Sequence, residues 1–92
     1  MPRPRKRRCI RSVPKAFFYK PHGVSLRQLE IVELSLDEYE ALRLKNVEQL
    51  DQTTCAQHMN ISQSTFQRIL TVAMQKVSTA IVQGKAIRIA QK

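Results

Sequence analysis

Gln63, Ser64, Gln67, Arg68 and Thr71 are hydrogen-bonding side chains with no acid among them, spaced so that a helix starting after Ser62 carries them on its outer side. Glutamine can pair with adenine through two hydrogen bonds and arginine with guanine, while serine and threonine reach bases or phosphates. The chemistry this set points to is recognition of base edges in a duplex groove. Ser62 is suited to cap that helix, whose first free amides would anchor a phosphate. Gln63, Ser64 and Gln67 would read bases, Arg68 would contact guanine or phosphate, and Thr71 would touch the backbone.

Two helices and a tight turn must position these residues. Asp51 is a good N-cap for the first helix, and Cys55, Ala56 and Met59 make one narrow apolar face. Asn60 tolerates the left-handed conformation that ends a helix. Ile61 is expected in the core between the helices. Phe66, Ile69, Leu70, Ala73, Val77 and Ile81 form the expected buried stripe of the second helix, 63–83, which ends at Gly84. The small Ala56 lets two steeply crossing backbones approach. The order of small residue, turn, hydrophobe, cap and amphipathic helix is that of a helix-turn-helix with 63–83 as recognition helix. An ordinary αα-hairpin shares the period but has no need of a polar, acid-free face here.

Charge distribution agrees with a polyanionic partner. The 92 residues carry a formal net charge of +9. Residues 1–29 hold nine Lys or Arg and no acid; residues 30–51 hold all seven acids against Arg43 and Lys45; residues 52–92 hold five bases and no acid. The basic ends are expected to face the polyanion and the acidic middle to face away. Within Met1–Arg8, Arg3, Arg5, Lys6, Arg7 and Arg8 make an arm that could follow phosphates or enter a minor groove; a solubilising tail has the same composition. No apolar run approaches a membrane span, and no long apolar segment follows the basic cluster as in a signal peptide. Cys9 and Cys55 lack CxxC spacing, and His22 and His58 do not complete a zinc set. No metal, cofactor or catalytic constellation is expected, and the cysteine usage suits a cytoplasmic setting. Cys55 suits a small core position, whereas Cys9 sits among bases that would favour its thiolate.

The remaining segments supply support. Cys9–Val13 could form a strand. Of Phe17, Phe18 and Tyr19, only two can share a strand face, so at least one is expected in the core or an interface, although aromatics beside bases can also stack on nucleotides. Pro21-His22-Gly23 predicts a turn. A short strand is expected at about 29–34. Ser35 and Glu38 make a capping box for a helix from Leu36 to about Asn46, burying Tyr39, Leu42, Ala41 and Leu44 and exposing Glu40, Arg43 and Lys45. Met74 and Val82 are surplus apolar residues that could cover the N-terminal strands or a second subunit. Lys85–Ile89 alternates like a strand and could pair with Cys9–Val13, with Leu29–Leu34 or with a partner chain.

Four separated blocks, Phe18–Val24, Leu36–Leu44, Ile61–Leu70 and Gly84–Ile89, together with the Pro-Arg-Pro-Arg-Lys start, resemble a small uncharacterised prokaryotic family of predicted DNA-binding proteins. The helix-turn-helix part also looks like the promoter-reading region of housekeeping-type sigma factors. The resemblance implies a winged-helix-like or sigma-like three-helix DNA-binding fold and transcriptional regulation. Asn60 stands where the family usually has Gly, Thr53 and Thr54 where it usually has acids, and Gln63 near a frequent Arg. These departures bear on base preference rather than on the fold.

The expected architecture is mainly α: a three-helix bundle with helix-turn-helix, plus short N- and C-terminal β-strands. Its parts are a basic arm at 1–8, short strands and turns at 9–34, and a DNA-binding domain with a C-terminal strand at 35–92. The expected function is sequence-specific binding of double-stranded DNA as a homodimeric, non-enzymatic transcriptional regulator. Nucleic-acid binding without sequence choice is one alternative. The other is an adaptor that contacts RNA polymerase through the acids of residues 30–51.

Overall fold

The computed structural model of the chain describes residues 17–90. Three strands, β1 (Phe18–Tyr19), β2 (Ile31–Leu34) and β3 (Ala86–Ile89), form one sheet, and three helices lie between β2 and β3 in the chain: α1 (Leu36–Leu42), α2 (Gln52–Met59) and α3 (Gln63–Gln83). The expected mainly α architecture with short terminal strands is the one observed, although Cys9–Val13 and the arm at 1–8 lie outside the described residues.

The sheet order is β1-β3-β2. β3 runs antiparallel to β1, with Phe18 opposite Arg88, and parallel to β2, with Glu33 opposite Arg88 and Leu34 opposite Ile89. Of the pairings open to the C-terminal strand, the one with β2 within the chain is realised. A parallel pair needs a long crossover, and here all three helices supply it. The expected strand at 29–34 is present from Ile31 to Leu34, and a 3-10 turn, Leu26–Gln28, capped by Ser25, precedes it. Residues 22–23 turn as expected, with Gly23 at φ 84°.

Helix α3 is the common spine. Its 21 residues span about 31 Å at 1.5 Å per residue. Phe66 and Leu70 in its first half join Ala41, Leu44, Cys55, Ala56 and Met59 in one apolar cluster, against which Ile61 and Ile69 pack. Ala73 and Val77 in its second half join Leu34, Ile89, Phe17, Leu36, Tyr39 and Ile87 in another, and Leu42 touches both. Phe17 thus provides the core aromatic, and Phe18 and Tyr19 are exposed. Phe66 is fully buried; a phenylalanine in such a site stabilises by about 1.5–3 kcal/mol through burial alone.

Three expectations are corrected. Ile81, placed by its spacing in the buried stripe, is 72% exposed, because the sheet covers the Val77 and Ala80 side of α3's last turns and leaves Ile81 outside. Glu40, expected at the surface, is fully buried and held by Arg43, which together with Lys45 is half-buried. Finally, α1 does not run regularly to Asn46. After Leu42 the chain widens into a π-type turn, Arg43–Val47, closed by a hydrogen bond from Glu48 N to Arg43 O at 2.8 Å. Gln49, at φ 61°, then redirects the chain so that Leu50 returns to the core before α2 begins.

Candidate nucleic-acid interface

The geometry of the α2–α3 corner follows from local chemistry. Asp51 Oδ1 accepts from Thr54 N at 2.7 Å and caps α2. That hydrogen bond, with the Thr54 hydroxyl and Lys45 adding to it, holds the Asp51 carboxyl below the usual aspartate range. At the far end of α2, Asn60 is left-handed at φ 61°, ψ 45°, and Ile61 N donates to Ala56 O at 3.0 Å. Ser62 then caps α3, its Oγ accepting from Thr65 N at 3.1 Å. Three residues, Asn60 to Ser62, therefore separate the helices. Ala56 is 4% exposed at this corner, and its single methyl lets the backbones come together. Cys55 is fully buried beside it, and burial pushes its thiol pKa up.

This corner exposes Ser62, Gln63, Ser64, Gln67, Arg68 and Thr71 together. Gln63, Gln67 and Thr71 follow one another at intervals of four residues, a single row along the helix. Ser64 and Arg68 form the adjoining row. The Ser62 hydroxyl is engaged in the cap and with Thr65 Oγ1 at 2.9 Å, so an anion at this end would meet backbone amides. Arg68 makes no ion pair or hydrogen bond among the described residues. The sequence-predicted set on α3 is thus brought onto one surface. Arg3, Arg5, Lys6, Arg7 and Arg8 lie outside the described residues.

Gln52 also belongs to this surface and was not anticipated from the sequence. As the first residue of α2 it reaches across to α3: its Nε2 donates to Gln67 Oε1, and its Oε1 accepts from Gln63 Nε2 at 3.4 Å. Gln67 Nε2 in turn donates to Thr71 Oγ1 at 3.3 Å. The only sequence signal was a glutamine directly after the Asp51 cap, which places it at the start of α2, the end opposite the Asn60–Ser62 turn.

Charge is arranged differently from the pattern along the chain. Lys76, Lys85 and Arg88 pair with Glu38, Glu30 and Glu33, and Arg43 pairs with Glu40 and Glu48. The basic C-terminal part is therefore folded against the acidic middle rather than held apart from it. Side-chain hydrogen bonding to Lys85, with its charge, lowers the Glu30 pKa. Residues 17–90 hold eight Lys or Arg against seven acids, whereas residues 1–16 hold seven bases and no acid. Almost all excess positive charge thus precedes the described fold. Among the described residues no group of three or more His, Cys, Asp or Glu could hold a metal ion, and no helix is long and apolar enough to cross a membrane.

The family described as "Protein of unknown function DUF134" matches residues 1–91. The chain belongs to this family. It is 51% identical over 89 residues to a UPF0251 protein of Caldanaerobacter subterraneus, covering 97% of this chain and 75% of the relative. A UPF0251 protein of Desulforudis audaxviator is also 51% identical over 89 residues, but the chain spans only 58% of its length. For the UPF0251 protein of Rhodospirillum rubrum the identity is 53% and the share of the relative 62%. No solved structure matches the chain.

Proposed function

We propose that the protein is a sequence-specific binder of double-stranded DNA that regulates transcription, with α2, the Asn60–Ser62 turn and α3 acting as a helix-turn-helix. The observation that carries this reading is the exposed row Gln63, Gln67 and Thr71, flanked by Ser64 and Arg68, on the first half of a helix anchored through Phe66 and Leu70. In the complex, α3 enters the major groove, Gln63, Ser64 and Gln67 meet base edges, Arg68 meets guanine or phosphate, and Thr71 meets the backbone. The amides at the start of α3 take a phosphate. Arg3, Arg5, Lys6, Arg7 and Arg8 add salt-sensitive affinity that is indifferent to sequence. The resemblance of the sequence of this segment to sigma-factor promoter-reading regions points to the same role.

In this reading two copies bind one site, with half-sites about 34–36 Å apart or a multiple of that. The exposed Met74, Ile81 and Val82 in the second half of α3 offer the apolar surface for self-association. Light scattering of the free protein and its complex checks the stoichiometry. The adaptor reading is less well supported, because five of the seven acids it would use are already paired with Lys or Arg.

Selection of duplexes from a random pool tests the proposal. An enriched motif, with half-sites if the complex is dimeric, is the expected result. Salt-sensitive retention of DNA without any enriched motif would instead mean a nucleic-acid coat protein without sequence choice.

A further inference from the structure

The bridge from Gln52 to Gln67 and Gln63 has a consequence for which base is read, and it rests on the DNA-binding reading above. A glutamine amide carries two acceptor lone pairs and two N–H donors. In Gln67 one of each is already engaged: Oε1 accepts from Gln52 Nε2, and Nε2 donates to Thr71 Oγ1 at 3.3 Å. Gln63 Nε2 donates to Gln52 Oε1 at 3.4 Å, so the hydrogen bonds run in one direction through three amides to a hydroxyl. Gln67 therefore has its oxygen turned to α2 and its nitrogen turned along α3. One lone pair and one N–H are left over.

Adenine presents an N7 acceptor and an N6 donor in the major groove, and a glutamine amide with one free acceptor and one free donor complements them. An exposed glutamine without neighbours can turn its amide either way and loses rotamer freedom on binding. One tied at both ends meets the groove already oriented. Bonds in such a chain also polarise one another. We infer that Gln52 is a positioning residue for base readout, holding the Gln67 amide in the orientation that selects adenine. Gln52 is at the first position of α2, where its backbone is fixed by the Asp51 cap, so its side chain reaches α3 from a rigid base.

The test compares full-length wild type, Gln67→Ala, Gln52→Met and the double variant. Methionine keeps the length of the stem and removes both hydrogen-bonding atoms; Gln52→Ala is run beside it, with melting curves to show that each variant is folded. Duplexes are first selected with wild type, and binding is then measured to the selected site and to its single-base variants. Gln67→Ala is expected to lose the preference for adenine at one position. Gln52→Met and Gln52→Ala should weaken the preference at that same position by roughly three- to tenfold and leave the others within about twofold. The double variant should bind no more weakly than Gln67→Ala by more than about twofold. Unchanged discrimination in both Gln52 variants, or losses that multiply in full in the double variant, would overturn the positioning role while leaving the regulator reading intact. Absence of any enriched motif with wild type would overturn both.

Discussion

The Glu40 carboxylate is fully buried and receives the Arg43 guanidinium through two hydrogen bonds, Nε at 3.1 Å and Nη2 at 2.8 Å. Arg43 also reaches Glu48 at 3.4 Å, so one arginine ties α1 to the turn that leads into α2. The fork matches a carboxylate's two oxygens. Removing one partner of a buried pair costs about 3–5 kcal/mol, and less where the cation is partly solvated. Arg43 is 23% exposed at its side chain. Arg43→Ala is therefore expected to destabilise the fold by about 2–4 kcal/mol. Urea unfolding with an unchanged midpoint and slope would show that this pair contributes nothing.

Two kinds of DNA contact should separate by salt and by sequence. Arg68→Ala is expected to weaken binding to the selected site by about 1–3 kcal/mol and to relax preference at one position, if Arg68 meets a base. Deleting residues 1–8, with five Lys or Arg, should instead weaken binding to every duplex and flatten the salt dependence by up to about 4–5 in slope. Wild-type affinity of Arg68→Ala for its selected site would mean that α3 is wrongly faced.

Acid should loosen the cap of α2. The Asp51 carboxyl is held below its ordinary range by the Thr54 amide, so it favours the folded state when ionised. That contribution is complete above the unfolded-state pKa and disappears as pH falls through the lowered native value. Asp51→Asn keeps an N-cap but has no charge to lose. Its melting temperature should therefore fall less steeply than that of wild type between neutral pH and the acid side of the carboxylate range. Parallel profiles would remove Asp51 from the acid response.

The left-handed Asn60 makes a further, structural test. Glycine adopts this conformation without strain, and Asn60→Gly should leave stability within about 0.5 kcal/mol. A β-branched residue would crowd its own backbone there, and Asn60→Val should cost about 1–2 kcal/mol. Equal midpoints for the two variants in urea would contradict the turn geometry.

Capping and helix period were legible in the chain because they depend on neighbours a few residues apart. Ser35 with Glu38, Asp51, Asn60, Ser62 and Gly84 each occupy the expected helix boundary, since each satisfies backbone groups within one turn of itself. The same local logic placed Phe66 and Leu70 inward and Gln63, Gln67 and Arg68 outward. It failed at Ile81 and Glu40. Period says only which residues share a face, and whether another element covers that face depends on chain far away in sequence.

The sequence by itself determined where the helices start, where α2 and α3 stop, which half of α3 is polar, and that the first residues are strongly basic. Tertiary structure alone decided that β3 inserts between β1 and β2, that the basic C-terminal residues pair with the acidic middle, and that Gln52 reaches Gln67 across the corner. The first set is fixed by bonds spanning a few residues. The second joins residues 15 to 70 positions apart, and such contacts exist only after packing has set the angle and separation of whole elements.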